Sequence, residues 1–211
     1  MKIPKRNDQI AEWNQFIKDG DLNALSQIYF HYYDFLYTYG LKHTSEKQVV
    51  EDVIQDVFIK LIGHRNDIGE VINLSGYLLV TFRHELFLRL SKQKKIILTD
   101  KVPEETFDYF KSPEQNISEK ETMVFTQRVI KKCIGNLTPK QQEIIYLRFE
   151  SEIEYEEIAE ILNISVDSCY KSVYRSIKIL RSEVEKILGK DIKIILWCWI
   201  KSLKEHLLQK I

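Results

Sequence analysis

An all-α fold of two small helical domains, joined by a short acidic segment, is what this sequence predicts, and three observations predict it. Apolar residues recur at spacings of three and four through residues 10–95 and again beyond 118, the period of amphipathic helices rather than the alternation of strands. Only seven glycines and four prolines occur in 211 residues, too few turn formers for a many-stranded β fold, while 44% apolar and 11% aromatic residues suffice for two cores. Between 98 and 117 the period vanishes, Pro103 and Pro113 interrupt, and Asp100, Glu104, Glu105, Asp108 and Glu114 outnumber Lys101 and Lys111.

The elements follow in order. A first helix groups Trp13, Phe16 and Ile17; a second lines up Leu22, Leu25, Ile28, Tyr29, Tyr32, Leu36 and Tyr39, with Gly40 as its expected stop. A third is expected from Ser45, carrying Val49, Val50, Val53, Ile54, Val57, Phe58, Leu61 and Ile62 and ending near Gly63. After a loop over 64–74, a fourth starts around Ser75, runs through Leu78, Leu79, Phe82, Leu86 and Leu90, and ends on Lys92, Lys94 and Lys95. Past the acidic segment, Ser118-Glu119-Lys120-Glu121 has the pattern of a capping box opening a helix through Val124, Phe125, Val129 and Ile130. Thr138-Pro139-Lys140-Gln141 is a second box, with proline at the first helical position. These elements divide the chain into a domain at 10–96, a linker at 97–117, a domain at 118–190 and an amphipathic extension at 191–211.

The stretch 155–181 has the pattern of a helix-turn-helix. Ile158, Ala159 and Leu162 form the inner face of a short helix, Asn163 suits a left-handed turn, Ile164 fills the corner and Ser165 caps the next helix. That helix is expected to bury Cys169, Val173, Ile177 and Leu180, leaving Lys171, Arg175 and Lys178 on the opposite face, with Ser168 and Ser172 near its start. Charge separates the two helices. From Glu150 to Glu160 there are six acids, Glu150, Glu152, Glu154, Glu156, Glu157 and Glu160, and no base, whereas from Lys171 to Arg181 there are four bases, Lys171, Arg175, Lys178 and Arg181, and no acid. A helix that enters a DNA groove must attract phosphates, so the second helix is the expected reader.

Other classes find little support. Lysine plus arginine equals aspartate plus glutamate, 31 each, so only local charge argues for nucleic acid. Cys133, Cys169 and Cys198 are odd in number and far apart, which fits a reducing cytoplasm better than a disulfide framework. No metal-spaced histidine pair, glycine-rich phosphate loop or nucleophile constellation stands out, so neither an enzyme nor a cofactor is expected. No apolar run reaches the roughly 18 residues of a membrane span, and membrane insertion is not expected.

Two stretches together resemble a known family. Residues 24–95, centred on Glu51-Asp52-Val53-Ile54-Gln55-Asp56-Val57-Phe58, resemble the second conserved region of bacterial sigma factors; 137–181, from Leu-Thr-Pro-Lys-Gln to Ile-Lys-Ile-Leu-Arg, resembles the fourth. With only a linker between them, the chain is similar to the extracytoplasmic-function group of the sigma-70 family. The resemblance implies a promoter-specific initiation factor whose partners are core RNA polymerase and promoter DNA, and it leaves room for an anti-sigma factor. It places Asp52, Gln55, Asp56 and Phe58 on the polymerase clamp, acids meeting basic groups and Phe58 serving as the apolar anchor. It makes the loop 67–75 the base-capturing element of the minus-ten site, read by Asn73, with Tyr77, Arg83, His84, Arg89, Lys92, Lys94 and Lys95 along the opened strand and adjacent duplex. In the minus-thirty-five element it gives Ser168, Lys171, Ser172 and Arg175 bases and phosphates, and Lys178 and Arg181 phosphates only.

Glu154 stands where the family commonly has a serine or threonine cap, and Leu88 where the strand-opening helix often has aspartate. Outside the resemblance, Ile192, Ile195, Leu196, Trp199, Ile200, Leu203, Leu207 and Ile211 form one stripe, expected to pack on its own domain or else to face a partner. The alternative for the whole chain is a helix-turn-helix regulator with a helical sensor or dimerisation domain, which would bind palindromic duplex as a dimer.

Overall fold

The computed structural model describes residues 8–97, 106–111 and 129–188; the capping box at Ser118 and the stripe from Ile192 to Ile211 lie outside them. No strand occurs among the described residues, and the fold is all-α. Two compact units separate, one built on 8–97 and the other on 129–158 and 164–188; residues 106, 111 and 159–163 group with the first and 107–110 with the second.

The first unit contains α1 (Ile10–Asp19), α2 (Leu22–His43), α3 (Lys47–Gly63), a 3₁₀ turn (Arg65–Asp67) and α4 (Leu74–Ile97). Gly20 ends α1 in the left-handed conformation at φ 72°, its N–H on the Phe16 carbonyl, and Asp21 then caps α2 by accepting from the backbone N–H of Asn23 and Ala24. Trp13, Ile28, Leu36, Ile54, Leu79 and Phe82 are among the fully buried side chains, each worth about 1.5–3 kcal/mol of hydrophobic stabilisation.

Gly40 does not stop α2, which continues to His43. It is a contact point instead: a Cβ there would lie 2.6 Å from a Val50 methyl carbon and 2.9 Å from the tip of Phe82, so only glycine lets α3 and α4 press this closely on α2. The third helix starts at Lys47 rather than Ser45, because the Thr44 hydroxyl accepts the Glu46 N–H at 3.2 Å and holds the chain in a turn first. The fourth begins at Leu74, where Asn73 Oδ1 accepts the Gly76 N–H at 3.0 Å.

Part of the predicted linker is tied down. Thr106 donates its hydroxyl to the His43 carbonyl at 3.0 Å and accepts from His43 Nδ1 at 2.8 Å, while buried Lys42 reaches the Lys111 carbonyl at 3.2 Å. In the second unit Phe107 is buried against Tyr146 with ring centres 5.6 Å apart, and the Tyr109 N–H donates to Gln142 Oε1 at 3.2 Å. The burial of Tyr146 pushes its phenol up to about 12, with Glu150 adding to the effect.

The second unit continues with α5 (residues 129–135), α6 (Pro139–Ile145) running into a π-helical turn (Tyr146–Glu150), then α7 (Tyr155–Ile161) and α8 (Val166–Leu188). The Thr138 box forms as expected: its hydroxyl accepts the Gln141 N–H and Gln141 Oε1 accepts the Thr138 N–H. Cys133, Ile134, Leu137, Ile145 and Leu180 make a core on which Tyr109, Phe110, Phe149 and Val184 pack. Burial raises both the Cys133 and Cys169 thiols, which marks them as inert packing groups.

Candidate nucleic-acid and polymerase interfaces

The helix α8 owes its position to the turn before it. Asn163 takes the left-handed conformation at φ 50°, and Ser165 Oγ accepts the Ser168 N–H at 3.2 Å, so the chain reverses and restarts within a few residues. Cys169, Val173, Ser176 and Leu180 are the buried stripe of α8. Ser176, fully buried, takes the place expected of Ile177, which is 45% exposed. The Ser176 hydroxyl tolerates burial because it donates to the Ser172 carbonyl at 2.8 Å.

Opposite that stripe stand Lys171, Arg175, Lys178 and Arg181, all exposed, together with Ser168. Ser172 is half-buried on the flank. Lys171 pairs with Asp167 one turn earlier at 2.6 Å, which offsets one of the four positive charges. Tyr174, 71% exposed, rises among the bases as a side chain that charge reasoning passed over. A stacked column also joins the two helices of the motif: Arg148 lies 4.6 Å above the Tyr155 ring, and Tyr155 stacks on Tyr170 with ring centres 4.0 Å apart. Arg148 also donates to the Ile153 carbonyl and to Glu154, so the poorly capped start of α7 gains a cationic splint.

In the first unit, Asp52, Gln55, Asp56 and Ile59 share the outer face of α3. Asp52 accepts from Gln48 at 2.8 Å and Gln55 is exposed. Phe58 departs from expectation: it is 5% exposed and packs edge-on against Tyr29 at 5.0 Å, so it is core, because its position falls on the stripe that faces α2. The exposed apolar group on the outer face is Ile59, at 64%.

The residues expected along the opened strand lie on α4, with several already engaged. Arg89 pairs with Asp56, and Lys60 pairs with Glu85 at 2.6 Å, so two ion pairs cross from α3 to α4. Both border a cleft of about 340 Å³ whose lining includes Leu88 and Lys92. The Lys60 hydrogen bond holds the Glu85 carboxyl below the usual value despite partial burial, with His84, 3.7 Å away, contributing. Arg83 lies 4.6 Å above the Phe87 ring, and His84 is exposed. Tyr77 is half-buried 5.6 Å from Trp13, and burial raises its phenol. Asn73 spends its side-chain oxygen on the start of α4, accepting from the Ser75 hydroxyl as well as from Gly76. Lys94 and Lys95 lie on the last turns of α4, their side chains outside the described residues.

Two family models match the chain, Sigma-70 region 2 over residues 28–96 and Sigma-70, region 4 over residues 127–180. The chain belongs to the sigma-70 family. The sigma factor is similar to the RNA polymerase sigma factor YlaC of Bacillus subtilis (strain 168), 23% identical over 175 residues that cover 80% of this chain and 94% of that one. Its fold resembles CnrH, solved in complex with the cytosolic domain of CnrY, with a TM-score of 0.54 at 15% identity over 86% of this chain and 99% of that one. A further match is RpoE, co-crystallised with the anti-sigma factor NepR from Bartonella quintana, with a TM-score of 0.49 at 21% identity over 81% of this chain and 98% of that one.

As a family member this sigma factor binds core RNA polymerase and directs promoter-specific transcription initiation. With regions 2 and 4 and only a short segment between them, it has the make-up of the extracytoplasmic-function group. No helix of the described residues is long and apolar enough to cross a membrane, and among those residues no cluster of His, Cys, Asp or Glu is arranged to hold a metal ion.

Proposed function

We propose that the two units divide initiation between them along the boundaries drawn from sequence: 10–96 grips core polymerase and opens the minus-ten element, 118–190 reads the minus-thirty-five element, 97–117 links them, and 191–211 is an accessory extension. The observation that carries this division is the outward basic face of α8, Lys171, Arg175, Lys178 and Arg181, directly opposite its buried stripe. Such a helix presents cations and hydroxyls to a major groove while its inner side stays anchored. Ser168, Lys171, Ser172 and Arg175 are the base and phosphate contacts, and Lys178 and Arg181 hold phosphates.

On the first unit, Asp52, Gln55 and Asp56 contact the polymerase clamp, with Ile59 rather than Phe58 as the apolar anchor. Residues 67–75 capture the extruded base; within them Asn73 sets the start of α4, and Arg83, His84, Arg89, Lys92, Lys94 and Lys95 hold the strand and adjacent phosphates. Tyr77 serves chiefly as packing for Trp13. The chain acts without chemistry of its own, in the cytoplasm. An anti-sigma factor is a fitting regulator; CnrH, whose fold this chain resembles, was solved with the cytosolic domain of CnrY bound.

The test is run-off transcription with purified core enzyme over genomic fragments. New start sites that depend on this chain are the expected result; their absence, or dimeric binding to palindromic duplex without core, would overturn the proposal.

A further inference from the structure

The base-capturing loop needs a fixed frame, because a pocket that closes on an extruded base loses affinity for every degree of freedom it must freeze. One end of the loop is fixed by Asn73 at the start of α4. The other end is fixed by a residue no motif points to. Arg65 opens the 3₁₀ turn that leads into the loop, and its Nη1 donates to two carbonyls at the end of α1, Ile17 at 2.8 Å and Lys18 at 3.2 Å. Those carbonyls belong to the last turn of a helix, where acceptors lack intrahelical donors and a cation also meets the negative end of the dipole.

The neighbouring turn is shaped for this arrangement. A Cβ at Gly20 would sit 3.3 Å from the Arg65 guanidinium carbon, so the side chain lies flat against the α1–α2 turn where glycine leaves room. The chain after Arg65 then folds back on itself, Asp67 N–H to the His64 carbonyl at 2.9 Å and Ile68 N–H to the Arg65 carbonyl at 3.4 Å. From there outward the chain reaches solvent: Gly69, Glu70 and Ile72 are exposed. The helix receiving Arg65 is itself locked in place, with Trp13 and Phe16 at 2% and 1% exposure. Residues 10–19 also fall outside the region 2 match at 28–96, so this support is not part of the shared pattern.

We propose that Arg65 is a positioning residue for promoter opening: it splints the base-capturing loop onto α1, so that the loop meets the extruded base already in place. The inference rests on the role proposed above for 67–75. It predicts a defect confined to opening, with polymerase binding and duplex recognition untouched, because the Arg65 guanidinium is engaged on the α1 carbonyls and lies outside the residues proposed for either partner.

The experiment uses holoenzyme made with full-length wild type, Arg65→Gln, Arg65→Lys and a chain with 68–72 replaced by glycine and serine, on a promoter found by the run-off screen. Permanganate reactivity of minus-ten thymines reads opening, on intact duplex and on the same promoter with a premelted mismatch bubble. Arg65→Gln is expected to bind core normally and open intact duplex about tenfold less well, the loss of a charged hydrogen bond worth about 1.4 kcal/mol. The bubble should restore most of that, and Arg65→Lys, which keeps a cation at the same carbonyls, should fall between. Thermal unfolding checks folding; if Arg65→Gln does not fold, Arg65→Lys carries the test alone. Opening of intact duplex at the wild-type level by Arg65→Gln, or an equal loss on both templates, overturns the proposal. If the loop replacement itself opens promoters normally, the base-capturing role of 67–75 fails instead.

Discussion

Asp56 and Arg89 are given to different ligands, polymerase and DNA, yet in the free chain they neutralise each other across the α3–α4 cleft. Replacing Asp56 by asparagine keeps the shape and removes the charge. Their side chains are 45% and 39% exposed, so water and salt screen the pair and its strength falls in the surface range of about 0.2–1 kcal/mol. That sets the scale of the effect: releasing Arg89 can raise the affinity of the free chain for minus-ten DNA by at most about fivefold. Core polymerase engaging Asp56 would release Arg89 by the same amount, a small but directional coupling between docking and DNA binding. The assay is fluorescence anisotropy of a forked minus-ten duplex with the chain alone at low salt. Asp52→Asn is the control, because it makes the same change of net charge on the same helix while its partner is Gln48. Asp56→Asn should gain two- to fivefold over that control, and the gain should vanish when Arg89 is alanine. No gain over Asp52→Asn, or a gain that survives Arg89→Ala, would refute the coupling.

Three further outcomes follow from the packing and the titrating groups. Gly40→Ala gains about 1 kcal/mol of helix propensity but forces a methyl into Val50 and Phe82, costing about 1–3 kcal/mol, so urea or thermal unfolding should show net destabilisation, with Tm falling by about 4–8 °C per kcal/mol. Phe58→Ala should destabilise by about 3–5 kcal/mol, whereas Ile59→Ser should leave stability within about 0.5 kcal/mol and weaken core-polymerase binding about tenfold in a competition assay. The depressed Glu85 carboxyl contributes stability that is complete above its ordinary value of 4.5 and is lost as pH falls through the lower folded value; Glu85→Gln should flatten that part of the stability–pH curve.

Features governed by near neighbours in the chain are legible in the sequence. The helical periods, the Thr138 box, the left-handed Asn163 and the Ser165 cap each depend on contacts within a few residues, and each formed. The basic face of α8 was legible for a related reason, since charges at spacings of three and four must share a side. What failed depended on which way an element rolls or on what lies across from it. Period alone does not separate Ser176 from Ile177, one residue apart, and a buried serine becomes acceptable only once its hydroxyl finds the Ser172 carbonyl. Phe58 and Ile59 pose the same problem on α3. Gly40 reads as a stop until Val50 and Phe82 are known to press on it. Phe107 sits in a stretch without periodicity, so nothing in the sequence marked it as core. The pair of Asp56 and Arg89 spans 33 residues, beyond the reach of any local pattern.

The bridge from Asp167 to Lys171 bears on how the recognition helix responds to its ionic surroundings. Asp167 offsets one of the four cations in the free chain, so Lys171 reaches DNA only at the expense of that bridge, and the share of α8 in the logarithmic salt dependence falls from about −3.6 toward about −2.7. A rise in salt would therefore loosen this contact less than it would loosen a helix with no acid at its start, and promoter occupancy would hold steadier through such swings.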